Sequence, residues 1–364
     1  MAMTDLEVAV QLLGGNTNKV IYDDVGMPSI MVRFDKGTIA DVITGGTENT
    51  HPAFLVDGAE KAAFWYSKYQ NIRIKCADGL YRAYSLPLQD PTTGINFDTA
   101  RGYCENKGNG WHIATNAEWA WIALQCKMNG FMPRGNNNYG KDHSRPDEKG
   151  IVTYTYIDKE TLYNGRVATG SGPKSWAHNN DASGVWDLNG NVNEWIGGYR
   201  TVDQEIQIIP YNNAANKLNP QTVDSTLWKA IMPDGSLVDP GTAGTLKWDF
   251  SNANPTDYSA FRLNTSVVNT SDVANYGSQS FKSLVTADGV TAPEILKALA
   301  LFPADNGDHG GDYIYMGKNG ERFAYRGGHW NSSSNDGVFY LNGSPARSDT
   351  NHRAVGFRSA FVEL

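Results

Sequence analysis

The chain has 364 residues, 40% of them hydrophobic and only 19% charged, with a net charge of −8. This composition excludes a disordered chain, and the acidic balance argues against nucleic acid as a partner. No apolar run approaches the roughly 20 residues that span a bilayer, so membrane insertion is not expected.

Taken in chain order, the opening "MAMTDLEVAVQLLGG" lacks a basic stretch ahead of an apolar core and does not read as a secretion signal. Residues 1–45 read as a small strand-rich module, with short apolar strands in "NKVIYDD" and "PSIMVRFD" about a "VGMP" turn. A role in tethering the chain or forming a homo-oligomer is the reading for this module. The stretch 43–52, rich in Gly, Thr, Asn and Pro, reads as a linker. A packed domain follows. "AFLVDGAEKAAFWYSKYQNI" has a turn signal at Asp57-Gly58 and then an aromatic strand. "FDTARGYCENKGNG" predicts a short helix. "TNAEWAWIALQCKMNG" predicts a longer one, because Thr115 and Glu118 have the spacing of a capping box and Trp119, Ile122, Ala123 and Cys126 share a face. Residues 132–182 read as long loops, and 201–320 as loop-rich with strand-like pieces and one helix in "APEILKALALF".

No hydrolase elbow, zinc-protease helix, phosphate loop or dinucleotide fingerprint is present. The histidines do not fall at metal-ligand spacings. Cys76, Cys104 and Cys126 form no CxxC pair, so they read as reduced, buried thiols. The densest polar signal is "GVWDLNGNVNEWIGGY". Asp187 and Glu194 flank a Gly-Asn turn there, and carboxylates, amides and turn carbonyls so close together suit Ca²⁺. A hairpin corner held by hydrogen-bonded Asn side chains accounts for the same residues.

Three segments, "WHIATNAEWAW", "GVWDLNGNVNEW" and "YRGGHW…VGFRSAF", occur in that order. Together they resemble the formylglycine-generating-enzyme (sulfatase-modifying factor) branch of the C-type lectin fold. The resemblance implies an α+β fold of mixed short antiparallel sheets, two helices and long loops over 46–364, with a divergent insert at about 201–320. It also implies a structural Ca²⁺ held by the Asp187 and Glu194 carboxylates and the Gly190 and Val192 carbonyls. The enzymes of this branch bind copper through a C-terminal cysteine pair. No Cys follows Cys126 here, so copper and catalysis are not expected.

The C-terminal stretch resembles more closely the variable proteins of diversity-generating retroelements, among them receptor-binding proteins of phage tails. In those systems AAC codons are miscopied at their adenines, which can yield most residue types but not Lys, Glu, Gln, Met or Trp. From Gly327 to Phe361 there is no Lys, Glu, Gln or Met, and the one Trp, Trp330, belongs to the scaffold motif. The variable region is placed at about 327–359. Its expected ligand-facing residues are His329, Asn331, Ser332, Ser334, Tyr340, Asn342, Ser344, Pro345, Asp349, Asn351, His352, Arg353 and Ala354, with Tyr340, His329, His352 and Arg353 exposed. Arg326, Gly327, Gly328, Trp330, Gly356, Phe357 and Arg358 anchor its two ends. The resemblance implies a virion or prophage-encoded protein that binds a protein or glycan receptor on a cell surface. A lectin module of fixed sugar specificity is the alternative, and an oxidase of the formylglycine-generating type a more distant one.

Overall fold

The structure, a computed structural model, describes residues 3–250, 260–268, 276–350 and 353–364. Two large sheets frame it, beside three two-stranded ones. The first has five antiparallel strands, in the order Asn18–Tyr22, Pro28–Asp35, Ala63–Ser67, Ser359–Phe361 and Trp111–Ile113. The opening strands therefore share a sheet with the last strand, and Val32 and Phe34 sit in the main core. This corrects the reading of 1–45 as a separate module: its alternating apolar residues need a partner face, and the domain supplies it.

The second, larger sheet is organised around Asn193–Val202. This strand runs antiparallel to Glu205–Ile208 and Glu321–Arg326 and parallel to Val355–Phe357. The short strand Leu341–Gly343 lies between Glu321–Arg326, antiparallel to it, and Tyr313–Gly317, parallel to it. The insert continues this sheet rather than hanging outside it, and its Trp248, Phe250, Phe261 and Leu263 are core residues.

Four α-helices are described: Asp5–Gly14, Phe97–Glu105, Asn116–Met128 and Glu294–Ala298. The three predicted helices are all present, in Phe97–Glu105, Asn116–Met128 and Glu294–Ala298. Asn96 caps the second helix. In the third, Thr115 Oγ1 accepts from the Glu118 backbone N–H while a Glu118 oxygen accepts from Thr115 N–H, the reciprocal pair the spacing calls for. Glu118 is fully buried, and its other oxygen takes His112 Nε2 at 2.8 Å and Asn212 Nδ2 at 3.1 Å, so the burial leaves no orphan acceptor. The first helix carries the same capping box at Thr4 and Glu7, a signal that the strand reading of the opening passed over. Between 132 and 182, read as loop, Thr155–Asp158 and Thr161–Asn164 pair as a hairpin.

Candidate functional site

Strand alternation builds the floor of a concave site. Successive side chains of a strand point to opposite faces. Leu341 is buried in the main core and Gly343 closes against Met316, so Tyr340, Asn342 and Ser344 share the other face. They line a concavity of about 720 Å³. Tyr325, the register partner of Asn342, lies beside them and donates its hydroxyl to Asp349 at 3.3 Å. Arg322, from the same strand, donates to the Ser344 carbonyl at 3.1 Å and holds that edge.

The opposite wall begins at Gly327 and Gly328, whose φ values of 86° and 79° turn the chain sharply. A Cβ at Gly328 would lie 1.8 Å from Asp336 Oδ1, so only glycine lets Asp336 reach across the turn. Asp336 Oδ2 accepts from the His329 backbone N–H at 2.8 Å, and His329 Nδ1 lies 2.6 Å from Ser332 Oγ. Burial raises the Asp336 carboxyl well above the usual range. A third wall comes from the 155–164 hairpin. Tyr156 packs near Trp330 and stacks on Tyr163, and the Arg353 guanidinium lies 3.9 Å from the centre of the Tyr156 ring. Three buried polar atoms in these walls, Asn193 Oδ1, Trp330 Nε1 and Asp336 Oδ1, have no hydrogen-bond partner among the described residues.

Nine of the thirteen residues expected to face a ligand line this one concavity: His329, Asn331, Tyr340, Asn342, Ser344, Pro345, Asp349, Arg353 and Ala354. Ser332 and Ser334 lie outside its lining, and Asn351 and His352 fall outside the described residues. The expected exposure of Tyr340 needs correction. It is 4% exposed, its ring packs against Tyr315, and burial pushes its hydroxyl well above the ordinary tyrosine value. The middle of the segment also carries more core than its composition suggests: Val338, Phe339 and Leu341 are buried beside the helix Asn116–Met128 and the strand Tyr313–Gly317. Sequence reasoning missed Tyr156, Asn193, Arg322 and Tyr325, which lie outside the variable stretch and reach the site only through tertiary pairing.

The ends are anchored as expected. Arg326 is fully buried and donates to Asn116 Oδ1 at 2.7 Å, to the Ala300 carbonyl at 3.1 Å and to the Leu299 carbonyl at 3.4 Å. Arg358, also fully buried, donates through Nε to Glu194 at 2.7 Å and through its terminal nitrogens to the carbonyls of Ser67, Lys68 and Trp186.

The Asp187–Glu194 corner does gather oxygen atoms. Positive φ at Asp187, Gly190 and Asn191 turns the chain so that the Asp187, Gly190 and Val192 carbonyls converge with Glu194 Oε1. All four lie within hydrogen-bond distance of one atom, the amide nitrogen of Gln70, at 3.1, 3.4, 3.1 and 2.9 Å respectively, and its two N–H groups are shared among them. Asp187 contributes its carbonyl, not its carboxylate. The carboxylate accepts from Gly170 N–H at 2.8 Å, and burial raises it to about 6. The four residues thus converge on a side-chain amide, with Asp187 turning in its carbonyl instead of the expected carboxylate.

None of the three thiols lines the concavity. Burial pushes the Cys126 thiol up to about 12 and raises the Cys104 thiol well above its ordinary value. Among the described residues, no three or more His, Cys, Asp or Glu side chains gather as a metal-holding group, and no helix is long and apolar enough to cross a membrane. A model of the sulfatase-modifying factor enzyme 1-like domain matches residues 38–230, more than half of the chain. The solved structure of PvdO from Pseudomonas aeruginosa is similar at 16% identity and a TM-score of 0.33, over 95% of this chain and 98% of that one. No curated protein matches. The ordered motifs, the two-sheet α+β scaffold and the matched domain lead to one conclusion: this chain belongs to the sulfatase-modifying factor enzyme 1-like family.

Proposed function

We propose that this chain is a binding protein that displays a changeable surface on a C-type lectin-like scaffold, in the manner of a phage or prophage receptor-binding protein. The observation that carries the reading is convergence. Residues 329–331, Tyr340, Asn342, Ser344, Pro345, Ser348, Asp349, Arg353 and Ala354 meet on one concave face, while Leu341, between two of them, and Phe357 and Arg358, just beyond them, hold the core. Fixed residues complete the site. Tyr156 and Tyr325 supply broad aromatic surface with few rotors, and Arg322, Asn193 and Trp330 supply polar atoms. The placement of the thiols away from the concavity favours binding over copper-thiolate chemistry. A cell-surface protein or glycan is the partner this reading implies.

The coding sequence gives the first test. A nearby near-identical copy of the 327–359 codons, differing only at adenines and followed by a reverse transcriptase gene, is the expected result. A neighbourhood with neither would remove the case for variation. The lectin alternative draws on the aromatic wall and the Asn342, Asn193 and Asp349 side chains around it. Against it, the Arg353 guanidinium covers the Tyr156 ring on which a sugar would stack. One glycan bound alike by chains altered at Asn342, Asp349 and Arg353 would favour the lectin.

A further inference from the structure

We infer that the Gln70 side-chain amide takes the place of the calcium ion expected at the Asp187–Glu194 corner, so that this corner is held together without a metal. Geometry is the first ground. One nitrogen lies within hydrogen-bond distance of three inward-turned carbonyls and a carboxylate oxygen, the oxygen set a Ca²⁺ would take. Gln70 is fully buried, and the space at the centre is filled by its NH₂ group.

The direction of that amide is fixed by backbone atoms, which leave no freedom to exchange its nitrogen and oxygen. The Val167 N–H donates to Asn191 Oδ1 at 2.8 Å, and Asn191 Nδ2 donates to the Val167 carbonyl at 3.2 Å. Asn191 Nδ2 must therefore face Gln70 Oε1, which accepts from it at 2.8 Å. The other end of the Gln70 amide, facing four acceptors, has to be the donor. An oxygen there would meet four oxygens with nothing between them.

Charge is the second ground. Glu194 gives one oxygen to Gln70 and the other to Arg358, and both charged side chains are buried. The pair is already neutral. A divalent ion would add two positive charges beside a buried guanidinium, where solvent screening is weak. The consequence reaches the candidate site, because Asn193 of its wall adjoins Glu194 on the same strand. Its shape is then independent of calcium supply.

The test compares the wild-type chain and Gln70→Ala, each dialysed against calcium or a chelator, by metal analysis and thermal melting. The wild type is expected to retain no stoichiometric calcium and to melt at the same temperature in both. Gln70→Ala keeps the oxygen ring but loses the donor. It is expected to take up one calcium per chain and to melt higher with calcium than with chelator. If Gln70→Ala does not fold in chelator, recovery of folding by added calcium counts for the inference and failure to recover counts against it. One calcium bound per wild-type chain would overturn it, as would a folded Gln70→Ala that gains none.

Discussion

Replacing Arg358 by alanine is expected to cost about 3–5 kcal/mol of folding stability, the range for leaving one member of a buried ion pair without its partner. Glu194 would keep the Gln70 amide but lose its only described cation, and the carbonyls of Ser67, Lys68 and Trp186 would lose their donors. Arg358 joins the first sheet to the Asp187–Glu194 corner through these bonds, so the loss spans two elements. Arg358→Lys is expected to recover little, since one ammonium cannot reproduce the guanidinium fork. Adding Glu194→Gln to Arg358→Ala is expected to recover part of the loss, because the stranded charge is gone. Urea unfolding of the two single variants and the double variant measures this. A cost below about 1 kcal/mol for Arg358→Ala would mean that the pair is not the tie described here.

Tyr340→Ala is expected to cost about 3 kcal/mol, as for other buried aromatic rings cut to alanine. Tyr340→Phe is expected to cost about 1 kcal/mol or less, because it keeps the ring against Tyr315 and loses one hydroxyl hydrogen bond. Asn331→Ala, at an exposed position on the rim of the same site, is expected to stay within about 0.5 kcal/mol of wild type. Tyr340 is thus the floor of the site and supports the residues around it. If all three variants unfold at the same urea concentration, the floor and the rim are not distinguished as the structure has them.

Helix caps, the Asp57-Gly58 turn and the flanking arginines were legible in the sequence because each is a local signal. A capping box spans four residues, and a turn needs only two. The thirteen ligand-facing candidates came from a segment with an unusual residue inventory, and most of them meet on one face because strand alternation and two sharp glycine turns sort them. What escaped was non-local. Tyr156 reaches the site because its hairpin packs on Trp330, and Asn193 because its strand pairs with Val355–Phe357. Gln70 stands more than a hundred residues from the carbonyls it holds, and a lone glutamine carries no metal-like or catalytic signature. Tyr340 was misjudged because polar neighbours suggested a loop, whereas Val338, Phe339 and Leu341 carry that stretch into the core.

The central claim is that one concave face can change its side chains while the sheets beneath stay as they are. It is tested most directly by varying His329, Asn331, Asn342, Ser344, Asp349 and Arg353 together in a displayed library. Library members are melted, and the library is selected against several unrelated cell-surface proteins. The account predicts that most members melt close to the parent chain and that different side-chain sets are selected for different targets. Widespread unfolding, or selected binding that survives reversion of all six positions to the parent residues, would contradict it.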